Sequence, residues 1–481
     1  MPMRNMRLLS ELLRQLEEQG TEKVKLALTD IDGILRGKMV SFDKFKSVAE
    51  KGFGFCDVVF GWDSGDQAYD NATITGWHTG YPDADAVVDI QTFRQVPWEG
   101  GIPFFLADFR GKGAGKEGVD VVKPGNDDPG KAGVGGYALP VCPRGLLKKI
   151  IGQADDEGFL AFFSQEFEWY NFIAPAEGAS ASGSLRGLEP MTQGMFGYSI
   201  LRASQGSPYF NDLFDQLKKF DVPLEGLHTE TGPGVYEAAI GYSDVLEAAD
   251  RAVLFKTAVK EIAYRHGILP TFMAKPSEAL PGCSGHVHQS LWSADGSQNL
   301  FYDKHVTTGM SSLMESYIAG QLLCLPHILP MYAPTVNSYK RLVEGAWAPT
   351  TLTWAIDNRT VALRVLQGGA TATRLETRVV GSDSNPYLAM AGCLASGLYG
   401  IRNKLKLTIP ATVGSGYADK ANGILPKNLW DATQAMKQSG VARELFGDAF
   451  VDHFTGTREW EWRQFSKSVT DWELRRYLEI I

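Results

Sequence analysis

The chain reads as an α+β protein in two parts, a small β-rich N-terminal portion and a larger portion mixing strands with helices. Three observations carry this. Short extended runs crowd the residues before 110, among them Val24, Leu26 and Leu28, then Ile34 and Leu35, and further runs at 58–60, 86–88 and 104–106. A Gly-rich, polar stretch follows at 111–136, with Pro124 and Pro129, and is expected to be a long loop at a domain boundary. Beyond Pro143, strand patterns alternate with helical periodicity. The expected division is an N-terminal helix over 1–20, a small domain over 21–136 and a large domain over 137–481.

Composition bounds the function. With 481 residues, 44% of them apolar and 21% charged, the chain has the profile of a soluble globular protein of more than one domain. A net charge of −9 leaves no cationic excess for general nucleic-acid binding. The five cysteines (Cys56, Cys142, Cys283, Cys324, Cys393) are odd in number and widely spaced, which suits reduced thiols in a cytoplasm. Glu11, Glu17 and Glu18 make the amphipathic N-terminus unlike a secretory signal. No apolar run reaches the roughly 18 residues of a membrane span, so neither membrane nor nucleic acid is an expected partner.

In chain order, Leu8, Leu9, Leu12, Leu13 and Leu16 recur at helical spacing up to Gly20, a helix able to dock on its own domain or on a neighbouring subunit. Asp32-Gly33 turns between two strands within 23–40. The segment 111–117 imitates a phosphate loop, but its glycine spacing is wrong and Glu117 follows Lys116 where Ser or Thr should stand. A helix is expected over 146–157, then a strand over 159–170 on which Glu166 and Glu168 share one face, roughly 6.6 Å apart. Leu224 to Glu230, Gly232-Pro233-Gly234 and Val235 to Glu237 form a hairpin pattern that brings Glu230 and Glu237 together. Ser243 opens an amphipathic helix to His266, closed by Gly267. His286 and His288 alternate with Val287 and so face one way on an extended backbone. A loop is expected over 335–349, an extended run over 352–366, a strand at 374–378, a helix over 390–405 and helical structure to the end.

Glu166, Glu168, Glu230, Glu237, His286 and Glu376 all fall on strands or the hairpin. Five carboxylates and an imidazole cannot converge without cations, and such oxygen-rich ligation suits magnesium or manganese. Arg341, Arg359, Arg364, Arg374 and Arg378 supply guanidinium forks for carboxylate and phosphate groups. Metals and arginines without a Walker motif point to phosphoryl transfer from a nucleotide.

The runs Asn337-Ser338-Tyr339-Lys340-Arg341, Asn358-Arg359, Arg374-Leu375-Glu376-Thr377-Arg378, Asn385-Pro386-Tyr387-Leu388 and His286-Val287-His288-Gln289-Ser290 together resemble the glutamine synthetase superfamily. The resemblance covers nearly the whole chain. It implies an N-terminal β-grasp domain, a catalytic domain built on a curved antiparallel sheet flanked by helices, and ring oligomers, commonly a dodecamer. It also implies two or more Mg2+ or Mn2+ ions and ATP as co-substrate. Glu168, Glu230 and Glu237 would hold one ion, and Glu166, His286 and Glu376 the other. Arg341, Arg378 and the Gly282 carbonyl would bind glutamate, Arg359 would stabilise the transferring phosphate, and Glu225, His288, Ser290 and Arg374 would contact ATP. The implied reaction phosphorylates glutamate's γ-carboxylate, after which an amine displaces phosphate.

Departures from the family pattern bear on the amine. Where ammonia-using members carry Gly-Tyr-Glu-Ala-Pro, this chain has Gly345-Ala346-Trp347-Ala348-Pro349. An indole accepts no proton but packs on an apolar amine. The family's Asp-Gly-Ser-Ser segment is replaced by 55–64, which offers Asp57 and Asp63. Pro281-Gly282-Cys283-Ser284-Gly285 replaces Asn-Gly-Ser-Gly-Met before His286, and Trp430 stands where adenylylated members have tyrosine. The expectation is therefore a γ-glutamyl–amine ligase using glutamate and a small organic primary amine. The alternatives are an ammonia-dependent glutamine synthetase and a catalytically silent member with a structural role.

Overall fold

The structure, a computed structural model, describes residues 3–110, 139–175 and 187–481. Helix α1 (Met3–Glu18) lays Leu9, Leu12 and Leu16 on Val24, Phe45 and Phe105, docking on its own chain, while Leu8 points outward. Strand β1 (Lys23–Thr29) pairs antiparallel with β2 (Leu35–Ser41). Ser41 then caps α2 (Phe42–Lys51), and β3 (Phe53–Cys56), β4 (Asp83–Val88), β5 (Arg94–Val96) and β6 (Ile102–Arg110) complete a six-stranded sheet. Its path is β2-β1-β6-β4-β3 with β5 on β6, antiparallel except for the parallel pair β1–β6.

One expected strand is absent here. Asp57–Phe60 is a single 3-10 turn that buries both Val59 and Phe60. On a strand these neighbours would face opposite sides, so burying both favours the turn over the β-branched propensity of the run. The expected boundary at 111–136, with its phosphate-loop imitation, lies outside the described residues.

The larger part begins with α3 (Pro143–Asp156) and the long strand β7 (Phe159–Ile173). Helices α4 (Ile200–Gln205) and α5 (Ser207–Lys219) lead to the hairpin β8 (Leu224–Thr229) and β9 (Val235–Ile240). After the two-residue β10 (Ser243–Asp244), α6 (Val245–Arg265) is capped by Asp244, one residue later than the Ser243 start expected. Then come β11 (Ile268–Thr271), β12 (Val287–Ser293) and α7 (Ser312–Ile328).

The loop expected over 335–349 holds a short helix, α8 (Ser338–Arg341), where Ser338 Oγ donates to Asp383 at 2.6 Å. The expected extended run 352–366 is broken by Asp357 at φ +49 into β13 (Trp354–Ile356) and β14 (Leu363–Leu366). Next are α9 (Gly369–Ala372), β15 (Arg374–Thr377) and α10 (Pro386–Arg402), the last starting earlier than expected because Asn385 caps it. Residues 403–428 are irregular rather than helical, and helices resume with α11 (Leu429–Lys437), α12 (Gly440–Phe446), α13 (Asp448–Lys467) and α14 (Asp471–Tyr477).

This second sheet runs β13-β14-β15-β12-β7-β9-β8, with β10 and β11 also on β7. It is mixed rather than wholly antiparallel, since β13 and β14 are parallel. Strand β7 alternates half-buried and buried side chains, with Phe163, Phe167 and Trp169 on its buried face, and Phe167 stacks on Phe255 of α6. Gly320 and Gly400 let α7 and α10 touch backbone to backbone: a Cβ at Gly320 would lie 2.3 Å from the Ser396 carbonyl oxygen. Tyr317 and Gln321 of α7 hydrogen-bond Gln289 of β12.

Two buried arginines join the sheets. Arg144 in α3 reaches Asp108 of β6 and Asp89 at 2.9 Å and Asp250 of α6 at 2.8 Å. Arg458 of α13 donates to Asp32 at 2.5 Å and to the Pro334 carbonyl. Asn385 Nδ2 donates to the Asp30 and Ile31 carbonyls in the same turn.

Candidate active site

Register places the acids. In the antiparallel rows, Glu168 of β7 stands opposite Glu237 of β9, which in turn stands opposite His228 of β8. Glu230, just beyond β8, joins them across the Gly232-Pro233-Gly234 turn, and donor atoms of His228, Glu230 and Glu237 all lie within 4.8 Å of one another. Glu168 Oε2 accepts from the Ser284 amide at 2.7 Å.

A second group gathers where β7, β12 and β15 adjoin. Glu166, His286 and Glu376 offer donor atoms within the same 4.8 Å limit. His286 Nδ1 is 3.2 Å from Glu376 and 3.6 Å from Glu166, and His288 Nε2 is 3.1 Å from Glu166. Glu376 is 1% exposed and also pairs with Arg378 and, at 3.0 Å, with Arg364.

Electrostatics separates these acids. Burial alone would raise Glu376, but His286, His288 and Arg378 outweigh it and hold the carboxyl down to about 2. Burial opposes ionisation of Glu166 too, yet His288 and His286 keep it well below the ordinary range. Glu237 goes the other way, pushed up to about 9 by burial and by Glu168, Glu166 and Glu230. Burial and Arg378 push His286 down to about 4, leaving it neutral at physiological pH with a lone pair to donate. Its buried Nε2 has no hydrogen-bond partner. A neutral imidazole among crowded carboxylates is the donor set of a hard divalent cation, so the residues present fit the metal ions considered above.

The arginines fall in two settings. Arg359 is exposed and, with Asn358, Arg364, Thr412 and Gly414, lines a cavity of about 750 Å³; Arg364 links that cavity to Glu376. Arg341 is 2% exposed, and its guanidinium donates to the Val379 and Arg378 carbonyls and to Ser284 Oγ. Gly282 packs directly against it, since a Cβ there would stand 2.8 Å from Arg341 Cγ. Arg378 donates Nε–H to the Arg359 carbonyl at 3.0 Å.

Arg374 donates to His288 Nδ1 at 3.2 Å, and Ser290 Oγ accepts from Trp292 at 3.0 Å on the same strand. Glu225 is the exposed residue at a bulge of strand β8. Trp347 is 63% exposed at φ +57. Burial raises the Tyr417 hydroxyl above its ordinary range, opposed by Arg378, the Trp347 backbone and Arg341. Asp57 accepts from Thr75, whereas Asp63 is taken up by Trp460 Nε1 and by the Gly65 and Gln67 amides.

Residues 140–477 match the glutamine synthetase catalytic domain family. The chain belongs to the glutamine synthetase family. Its members are ATP-dependent ligases that also use divalent metal ions, and this chain is an ATP-dependent carbon–nitrogen ligase of that kind. It is 50% identical to type-1 glutamine synthetase 2 of Dictyostelium discoideum over 98% of this chain and 86% of that one. It is 34% identical to a glutamate–isopropylamine ligase of Pseudomonas sp, over 97% of each chain. A solved complex of GmaS with ADP superposes with a TM-score of 0.79 at 27% identity, covering 97% of this chain and 99% of that one.

The fold brings out two residues that the motifs do not single out. His228 has no role in the sequence pattern, although period two sets it on the face of Glu230. Arg364, one of five arginines in the sequence reading, joins Glu376 at 3.0 Å to Asp357 at 2.5 Å. No helix among the described residues is long and apolar enough to cross a membrane.

Proposed function

We propose that this member of the family joins the γ-carboxylate of glutamate to an organic primary amine at the cost of ATP. The observation that carries the reading is Trp347, an exposed indole in the segment 345–349, where ammonia-using members carry a proton-accepting carboxylate. The likeness to a glutamate–isopropylamine ligase supports it. In this reading Glu168, Glu230 and Glu237 hold one divalent ion, Mg2+ or Mn2+, and Glu166, His286 and Glu376 hold the other. When bound, such ions screen phosphate charge and align the γ-phosphate.

The chain's own residues do the rest. Arg341, Arg378 and Gly282 seat glutamate, and His288, Ser290, Arg374 and Glu225 receive the nucleotide. A γ-carboxylate oxygen attacks Pγ in line, the bond to the ADP oxygen breaks, and Arg359 stabilises charge on the equatorial oxygens. The amine nitrogen then attacks the acyl carbon of γ-glutamyl phosphate, the carbon–oxygen bond breaks, and the departing phosphate carries away the nitrogen's proton. Trp347 covers the amine's alkyl group and excludes water from the acyl phosphate. The parallel pair β1–β6 with α2 beside it supports a β-grasp reading of 21–136; a catalytic domain over 137–481 and assembly into homo-oligomeric rings complete the proposal and rest on the family resemblance.

A second reading, ammonium as the amine, is favoured by the 50% identity to a type-1 glutamine synthetase. Phosphate release with glutamate, ATP and Mg2+ separates the two. With isopropylamine, ethanolamine and ammonium at equal concentration, an organic amine is expected to give the higher kcat/KM. A rate with ammonium equal to or above the best organic amine would replace the first reading by the second.

A further inference from the structure

We infer that His228 is a ligand of the ion shared by Glu230 and Glu237, held in place by the ring of Tyr198; the inference rests on the metal reading above. The carboxylates alone would have made this an all-oxygen site. Three independent contacts place a nitrogen in it.

First, His228 closes a row of facing side chains, Glu168, Glu237, His228, that crosses β7, β9 and β8 on one face. Second, its ring is oriented as metal-bound imidazoles are. Nδ1 lies 3.1 Å from the Thr229 carbonyl, which can only accept, so Nδ1 carries the proton and Nε2 the lone pair. Third, the separation suits ligation and not hydrogen bonding: Nε2 is 3.8 Å from Glu237 Oε1, too long for a hydrogen bond, and Glu230 offers a carboxylate oxygen within 4.8 Å of both. Two donors each roughly 2.1 Å from one cation stand about 3 to 4 Å apart.

Tyr198 stacks on this imidazole with ring centroids 4.5 Å apart. Its backbone is tied down for the purpose: the Tyr198 amide donates to the Thr229 carbonyl at 2.7 Å, and the Ser199 amide to Thr229 Oγ1 at 2.9 Å. Tyr198 takes φ +55, which a non-glycine residue adopts where surrounding contacts impose it. Tyr198 is 65% exposed as a residue, so its ring covers one face of the imidazole from the solvent side. A nitrogen donor here shifts preference from magnesium toward manganese and other first-row ions.

The test uses the full chain and MnCl2. Free-Mn2+ electron paramagnetic resonance measures stoichiometry and affinity, and pulsed spectra read 14N coupling to bound Mn2+. With His286→Gln removing the other nitrogen, 14N coupling should persist and then vanish in His228→Gln/His286→Gln. His228→Gln alone should weaken one of two ions about 10- to 100-fold. Tyr198→Ala should weaken the same ion, and Tyr198→Phe restore it. Coupling already lost in His286→Gln with Mn2+ still bound overturns the role of His228 and leaves the two-ion reading standing. A wild-type chain that binds no Mn2+ overturns both. Circular dichroism of each variant guards against misfolding.

Discussion

Trp347 and the acids around it show what single residues decide. The backbone at Trp347 is held at φ +57, and the residue is 63% exposed. Putting a carboxylate there supplies a proton acceptor and removes an apolar wall. Trp347→Glu is therefore expected to raise the ratio of ammonium to isopropylamine kcat/KM on the order of tenfold, below the roughly 10²-fold of a well-placed base. Initial rates of phosphate release check this, and an unmoved ratio would mean that the indole does not meet the amine. At this scale much was legible beforehand. Glu166 and Glu168 had to share a face because strands alternate, and so did His286 and His288. His228 carries no signal in the sequence alone: its meaning appears only when β8 pairs with β9 and sets it opposite Glu237. Which nitrogen it offers depends on the neighbouring carbonyl, and no residue pattern encodes that.

Helix α13 is an element whose role lies in what it buries. His453 sits on it, 2% exposed, with neither ring nitrogen hydrogen-bonded and its edge toward Phe60 of the 3-10 turn. Burial and the nearby Arg458 push the imidazole down from 6.5 to about 4. A lowered folded-state value means that the unfolded chain takes up the proton first. The contribution of the neutral ring is whole above about pH 6.5 and is lost as pH falls toward 4, about 3 kcal/mol in all at roughly 1.4 kcal/mol per unit. Urea unfolding of wild type and His453→Leu between pH 7 and pH 4 should show the gap between them shifting in favour of the variant by that amount. A constant gap would mean that water reaches the ring. Elements themselves were mostly readable from local chemistry, as with the hairpin on its Gly-Pro-Gly turn or α1 on its leucines. The failures share a cause. Asp57–Phe60 and the segment around Asp357 look extended by composition, but packing from distant residues bends them.

At the scale of the whole molecule, pairings between distant segments were the least readable part. Nothing local says that β1 lies parallel to β6, or that β7 sits between β12 and β9. The family motifs stood in for that information by implying a known arrangement. The first sheet is held to the rest by the ion pairs of Arg144 and Arg458 and by Asn385 gripping the turn at Asp30, and not merely by the peptide that joins them. A buried arginine facing several acids breaks at a cost of about 3–5 kcal/mol when one side is removed. Such clasps do not require an unbroken chain. Co-expressed as two polypeptides, 1–124 and 125–481, the protein should assemble into one particle: two bands on a denaturing gel, a single peak by gel filtration. Because Phe60, Phe104 and Phe109 also share an apolar core with Leu147 and Phe220, adding Asp108→Ala and Asp32→Ala should weaken the association, read as dissociation of the smaller piece on dilution where the unmutated pair stays together.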